Sequence, residues 1–419
     1  MKMKYSKLMV AVAAMTSVTA MGAGFGLYEA SARGVGMGNG LVGSTKDASA
    51  NYYNPANLTE LTSPSVMVGM TLINPFSDVV VDGVSQQKMN AGWFPPPHAY
   101  VAVPLLEDLV FGFGSYCEYG LGTKYDVNWA LRGDTTETTI QQFTFNPNIA
   151  YRITDDWSVA FGARMSYLTF ENYKSPYFGI APGLLEYNGR AHLEGDDFNC
   201  GYVLSTQYKV TDDLSLGLVY RSRINHRVEG DLDLSTPTML GGLIPGQYIS
   251  GDAKAKLVLP ASVTMGANYD FSEKFRGGAS LTWTEWSTIN HIDFNLPAGN
   301  SYAQELNWRD AWRLGFGFEY DLTDALTGRI GYSFDWDPSA DAHGTTMLPP
   351  GDRHIIGFGA SYSFLENWRV DLGYSFILME SETRMIGIKN YVTGGTRQYR
   401  FQCDNSYSHI VSASIAYTF

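Results

Sequence analysis

The sequence predicts an all-β fold: a transmembrane β-barrel of about 14 antiparallel strands, with an N-terminal hatch (plug) segment inside the lumen. Three observations predict it. Apolar residues alternate with small or polar ones in stretch after stretch, short turns exchange regularly with long loops, and a glycine-rich segment that does not alternate precedes the first strand.

The chain starts with what reads as an export signal. Lys2, Lys4 and Lys7 precede a short apolar stretch from Leu8 to Val18, and small residues follow at Ala20, Gly22 and Ala23. That tripartite layout is a cleaved secretory signal, too short to span a bilayer. Residues 1–22 are therefore assigned to it, with the cut expected after Gly22 and a cut after Ala20 as the alternative. Beyond this point no run of about 18 apolar residues occurs, which excludes a helical membrane protein.

Residues 23–63 are expected to form the hatch. They carry Gly34, Gly36, Gly38 and Gly40, then the run from Asp47 to Leu58 that contains Asn54, Pro55 and Ala56. Gly34-Val35-Gly36-Met37-Gly38 only superficially echoes a dinucleotide loop, because no strand precedes it and no βαβ unit contains it. Close backbone packing inside a narrow lumen explains the glycines better. A barrel of about 14 strands leaves an open channel unless something fills it.

Residues 64–419 are assigned to the barrel. Trp157, Val159, Phe161, Ala163, Met165 and Tyr167 alternate with Ser158, Ala160, Gly162, Arg164 and Ser166. Successive strand residues point to opposite faces, so one face is greasy and the other polar. The pattern returns in Leu214–Tyr220, Leu314–Tyr320, Ile356–Phe364, Trp368–Phe376 and Val411–Phe419. Inward Arg and Asp would be costly in a dry core but not in a hydrated lumen. Short polar turns end many strands, as at Thr154-Asp155-Asp156-Trp157, Thr211-Asp212-Asp213-Leu214, Ser272-Glu273-Lys274-Phe275, Thr323-Asp324-Ala325-Leu326 and Leu365-Glu366-Asn367-Trp368, with a looser sixth near Leu106-Glu107-Asp108-Leu109. Long connections lie near 76–95, 122–138, 173–194, 235–252, 295–307, 335–352 and 383–400. Six turns and seven loops make thirteen connections, hence about 14 strands, the even number a closed antiparallel barrel requires.

Composition narrows the function classes. The formal charge of −13 becomes −16 once the three signal lysines are removed, which argues against nucleic acid as a partner. Cys117, Cys200 and Cys403 show no metal spacing and imply no disulfide framework, although one bridge is possible. The histidines at 98, 192, 226, 291, 343, 354 and 409 are scattered, with no nucleophile–base motif, so no enzyme and no cofactor are expected. A general porin needs an open lumen, which the hatch argues against.

Several stretches together resemble the long-chain fatty acid transporter (FadL) family of outer-membrane proteins, including its aromatic-hydrocarbon channels of the TodX type. They are Ala23-Gly24-Phe25, Asn54-Pro55-Ala56, Tyr119-Gly120-Leu121-Gly122-Thr123, Tyr220-Arg221-Ser222, Leu257-Val258-Leu259-Pro260, Trp286-Ser287, Trp308 to Arg313, and Pro350-Gly351-Asp352-Arg353. Their order spans nearly the whole mature chain. The resemblance implies a fourteen-stranded barrel closed by an N-terminal hatch in the Gram-negative outer membrane, and passive uptake of a hydrophobic small molecule. The ligand lands among outer loops, moves to a lumen pocket beside the N-terminus, and leaves sideways at a kink in the third strand.

Residue by residue, the resemblance places Ala23, Gly24 and Phe25 at the inner pocket, and Asn54, Pro55 and Ala56 in the hatch. The outer groove is expected at the loop holding Phe178, Ile180, Leu184 and Leu185, an apolar loop of the kind that marks a binding site when exposed. The lateral gap is expected in the third strand, which carries Gly112, Gly114, Gly120 and Gly122, since glycine marks strand kinks. For an anionic head group Arg309 and Arg313 are the candidates, both read as inward on their strand, with Lys174 as a further one. The competing reading pairs these arginines with inward acids such as Glu319 or Asp310. The loop at 173–194 is shorter than expected for fatty-acid members, so long-chain fatty acids and aromatic or aliphatic hydrocarbons both stand as substrates. The partners expected are that ligand and outer-membrane lipid, with the chain a monomer.

Overall fold

The computed structural model describes residues 24–83, 85–90, 92–181, 185–295 and 301–419. Fourteen antiparallel strands close into a barrel. They are β1 (Ser65–Val81), β2 (Pro97–Leu106), β3 (Leu109–Tyr116, resuming at Gly120–Lys124), β4 (Glu137–Thr154), β5 (Trp157–Lys174), β6 (Arg190–Lys209) and β7 (Leu214–Arg221, then Ile224–Ser235). They continue with β8 (Tyr248–Leu259, then Ser262–Ser272), β9 (Phe275–Thr284, then His291–Asn295), β10 (Ser301–Glu305, then Ala311–Asp321), β11 (Leu326–Asp335), β12 (Arg353–Phe364), β13 (Trp368–Met379, then Glu382–Lys389) and β14 (Thr396–Thr418). The wall closes where β14 pairs with β1, from Ser65 opposite Thr418 to Val81 opposite Phe401. Closure leaves no open sheet edge to hydrocarbon, which could not hydrogen-bond it.

All six expected short turns occur, including Thr154 opposite Trp157 and Ser272 opposite Phe275. The alternation also falls as read. On β5, Trp157 and Phe161 are exposed on the outside while Ser158, Gly162 and Arg164 are buried within.

Residues 24–64 lie against the inner wall. They contain the short helices α1 (Ala32–Gly36) and α2 (Ala50–Tyr53) and a 3-10 turn, Pro55–Glu60. Ser31 caps α1 by accepting from the Gly34 amide at 3.0 Å. Glycine on the wall matters where this backbone passes: a Cβ on Gly317 would lie 2.4 Å from the Met37 carbonyl oxygen. Gly38 adds a positive φ of 56°, which a bulkier residue would adopt only with strain.

Charge fastens the segment. Arg33 donates to Glu319 at 2.6 Å and approaches Asp47 at 3.5 Å, and Arg369 bridges Asp47 (2.8 Å) and Asp371 (2.9 Å). Arg276 and Arg329 complete the shell around Glu319 at 3.1 and 2.5 Å. Burial raises the Asp47 carboxyl, but Arg369 and Arg33 outweigh it and bring it down to about 2. Buried ions are tolerable only when paired this completely.

Candidate functional site

Asn54, Pro55 and Ala56 sit where the inner segment touches the wall. Asn54 accepts from the Ala56 amide at 3.1 Å and donates to the Val42 and Thr206 carbonyls at 2.9 and 3.2 Å. Pro55 opens the 3-10 turn, where its missing N–H goes unneeded. The Ala56 amide also donates to Ser205 Oγ on β6 at 3.0 Å. One side chain thus closes a turn and ties it to the barrel.

At the outer end of the lumen is a cavity of about 680 Å3 lined mainly by apolar side chains, among them Phe170, Phe178, Leu193, Leu232 and Phe294, with Lys174 on its wall. The hairpin Tyr177–Ala181/Leu185–Asn188 lies over it. Asn390 clasps that hairpin, donating to the Gly179 carbonyl at 2.9 Å and accepting from its amide at 3.3 Å. The sequence suggested an exposed apolar loop, yet Phe178 is buried, with its ring 5.8 Å from that of Tyr391. Hydrophobicity turns it inward once a cavity and a second loop are there to receive it. Lys174 and Phe178 therefore share one cavity. Leu184 and the side chains of Ile180 and Leu185 lie outside the described residues.

Deeper in, Phe25 is packed in an aromatic box. Its ring is 5.1 Å from Trp286, 5.7 Å from Tyr119 and 6.0 Å from Trp308. Gly24 precedes it with φ of 71°, and a Cβ there would meet the Trp286 ring at 2.3 Å, so glycine is required. Ala23 lies outside the described residues. A polar pocket of about 590 Å3 adjoins the box, lined by Tyr28, Asn39, Tyr52, Glu118, Arg221 and Trp286 among others.

Arg313 stands near this pocket, 4% exposed, its guanidinium carbon 4.0 Å from the centre of the Tyr28 ring. Nη2 donates to Ser333 Oγ at 3.3 Å, but Nε and Nη1 have no hydrogen-bond partner among the described residues. The buried Trp308 indole N–H likewise has no partner among the described residues. Arg309 departs from its expected place. β10 resumes only at Ala311, because the Arg309 amide donates to the Pro338 carbonyl and folds the chain across a loop. The Arg309 side chain is exposed, bonding the Ser339 carbonyl at 3.4 Å. Neither arginine pairs with Glu319, which Arg33, Arg276 and Arg329 occupy, and the Asp310 carboxylate accepts from the Ser287 amide.

The third strand is interrupted, but between the expected glycines. β3 follows β4 up to Tyr116 opposite Thr144 and resumes at Gly120 opposite Gln141. In the break, Gln142 Oε1 accepts from the Glu118 and Tyr119 amides at 3.0 and 3.3 Å. The Glu118 carboxylate takes Arg164 at 2.6 Å, Arg221 at 3.3 Å and Thr144 Oγ1 at 2.8 Å. The free edge is covered by the N-terminal segment: the Leu27 amide donates to the Glu118 carbonyl (2.7 Å), and the Gly120 amide to the Phe25 carbonyl (2.9 Å). Gly112 and Gly114 serve close approach instead, since a Cβ on Gly112 would lie 2.2 Å from Asn51 Oδ1. Gly120 and Gly122 belong to the resumed strand. A lone acid in Tyr116-Cys117-Glu118-Tyr119 was the sequence signal for this break.

Comparison with known proteins agrees with this architecture. Residues 13–419 match the family model described as outer membrane protein transport protein (OMPP1/FadL/TodX). A putative outer membrane protein of Neisseria meningitidis serogroup B is 26% identical over 418 residues, covering 87% of each chain. The long-chain fatty acid transport protein of Salmonella typhi is 25% identical over 407 residues, 90% of this chain and 92% of that one. Among solved structures, a Pseudomonas aeruginosa FadL homologue superposes with a TM-score of 0.85 at 20% identity, covering 94% of this chain and all of the other. The Pseudomonas putida toluene transporter TodX superposes at 0.73 and 20% identity, covering 94% and 99%.

Proposed function

This chain belongs to the OMPP1/FadL/TodX family of outer-membrane transport proteins, and from that premise we propose that it carries amphipathic carboxylates of the fatty-acid class through the outer membrane. The observation that carries the reading is Arg313, a buried cation with two N–H donors unmet, close to an apolar box. Donors of that kind leave a cost that an incoming carboxylate removes. Capture starts in the outer cavity, where Lys174 can meet the head group while Phe170, Phe178 and Leu232 take the chain. Each buried methylene contributes about 0.8 kcal/mol, so a dry cavity holds a fatty chain that a water-filled pore would not.

The ligand then passes to the Phe25 box, displacing the ring that fills it. Because Phe25 and Leu27 also cover the edge of β3, the same movement uncovers the break at Cys117–Tyr119. Release sideways into lipid spares the chain rehydration. Residues 23–63 act as the hatch throughout, and the barrel works as a monomer without enzymatic chemistry.

A second reading, uptake of aromatic hydrocarbons, is favoured by one observation: the box of Tyr119, Trp286 and Trp308 already holds a single phenyl ring. Titrating oleate, a shorter fatty acid, an alkane and toluene against the purified protein in detergent tests both. Tight oleate and weak toluene binding supports the first reading, and the reverse order supports the second. A large steady single-channel ion current would defeat either.

A further inference from the structure

The outer surface of the hairpin between β7 and β8 carries charge sorted by height. Arg227 and Lys256 are directly opposite each other and both point outward, exposed. Like charges at opposed strand positions repel, and neither side chain has a carboxylate within salt-bridge distance among the described residues. Their neighbour Lys254 differs, being paired with Glu229 at 2.6 Å. One row higher, Glu171, Glu194, Asp231 and Asp252 stand opposite one another across β5, β6, β7 and β8. A cationic pair whose side chains bind no carboxylate is conspicuous in a chain of formal charge −13; the nearby acids are Asp197, which accepts from the Arg227 amide at 3.1 Å, and Asp293, next along the strand pairing from Lys256.

The height of that row is set by the wall. Along β6, Tyr208 and Phe198 are lipid-facing aromatics, both exposed. Ten residues at about 3.3 Å each, tilted about 40°, separate them by about 25 Å, the height of the apolar band of such barrels. Asp196 pairs with Glu229, and the Arg227 amide donates to the Asp197 carboxylate at 3.1 Å, so Arg227 lies one outward-facing position below that pair, level with the residues next to Phe198. The cations therefore stand where hydrocarbon gives way to head groups, on the side of the long loops. An acid row above them repels phosphate and fixes its level.

We infer that this face docks a phosphorylated glycolipid of the outer leaflet, its phosphates against Arg227 and Lys256 and its acyl chains along Phe198 and Tyr202. The surface is separate from the cargo path, and its failure would leave the transport reading intact.

The test uses the full barrel in nanodiscs doped with lipid A bearing both phosphates, or with the same lipid after their removal, and counts retained glycolipid by native mass spectrometry. Two cations at about 1 kcal/mol each near an anionic surface predict an approximately 30-fold loss of affinity in Arg227→Gln/Lys256→Gln. Arg227→Lys should retain binding, as should Lys88→Gln, which alters an exposed cation elsewhere. Oleate affinity should not change in the double variant. Equal retention by wild type and double variant, or of the phosphorylated and dephosphorylated lipids, would overturn the inference. Should the double variant fail to fold, wild type with the two lipids decides alone.

Discussion

Arg313→Met separates a ligand-binding arginine from a structural one, because the two roles predict opposite signs for stability. Nε and Nη1 are buried without acceptors among the described residues, while the guanidinium stacks on Tyr28. A buried unmet donor costs about 1–3 kcal/mol, and a cation over an aromatic ring returns about 0.5–2 kcal/mol. Methionine keeps much of the volume and removes both contributions together with the Nη2 hydrogen bonds to Ser333 and to the Asn39 amide oxygen, which the relief of two unmet donors outweighs. The unliganded variant should therefore unfold no more easily than wild type, as read by heat-modifiable mobility or by thermal melting in detergent. Oleate binding should behave differently. Charge-assisted hydrogen bonds contribute about 1.5–3 kcal/mol each before the carboxylate is desolvated. A net loss of about 2–3 kcal/mol corresponds to about 30- to 140-fold in Kd. Toluene, which offers no acceptor, should lose less than about threefold by the same argument. A variant that melts early and loses oleate and toluene equally would show that Arg313 only holds Tyr28 and the wall in place.

Phe25→Ala should vacate the aromatic box and slow ligand release, because the ligand no longer competes with a ring whose aromatic pairs contribute about 0.5–1.5 kcal/mol each beyond buried area; stopped-flow displacement of a fluorescent fatty acid measures it, and an unchanged off-rate would remove Phe25 from the latch. Asp47→Asn breaks two ion pairs, to Arg33 and Arg369, and should weaken seating of the inner segment by about 3 kcal/mol, the lower end for a broken buried pair because Arg33 keeps Glu319. Planar-bilayer recordings should then show added current fluctuations, and quiet traces would refute the lock. The same carboxyl sets a pH window: held at about 2 against an ordinary 3.8, it contributes its full stabilisation above about pH 4 and loses it as pH falls through 2. Current fluctuations that begin at pH 5–6 would mean another group governs the seating. Asn54→Ala removes a turn cap and two carbonyl contacts, for which about 1–2 kcal/mol of lost stability is expected by melting.

The barrel was legible because each strand repeats one simple physical demand, a lipid face and a lumen face in alternation. Trp157 to Tyr167 and Leu314 to Tyr320 state it without help from tertiary contacts. The site was harder to read, since it arises where strands stop obeying that demand. Nothing local in Arg309 reveals that its amide turns toward Pro338, so strand periodicity alone puts a residue four positions before Arg313 on the same face. Glycine marks kinks in many strands, yet Gly112 answers to Asn51 on another element, and the break in β3 falls at Glu118. Phe178 looked exposed because the sequence shows a loop without showing Tyr391 above it.

These departures share a cause that bears on transport. At the periplasmic end the lumen is filled by arginine–carboxylate pairs such as Arg33–Glu319 and Arg329–Asp371, directional contacts that are lost all at once when geometry slips. Toward the outer end, beside buried pairs such as Arg384–Asp337, the two cavities are lined by apolar and aromatic contacts, Phe25 on Trp286 or Phe178 near Tyr391, which tolerate exchange of one greasy group for another. A hydrophobic ligand can replace Phe25 at small net cost, but it can offer Glu319 nothing. Displacement should therefore stop at the N-terminal residues 24–28 and leave α1 seated, so the passage that opens is the one beside β3. Cross-linking α1 to the wall through cysteines placed at Val35 and Ser375, whose backbone carbonyl and hydroxyl lie 2.9 Å apart, should then leave fatty-acid transfer to liposomes intact. Transfer abolished by that cross-link, and restored on reduction, would mean that the whole inner segment must move.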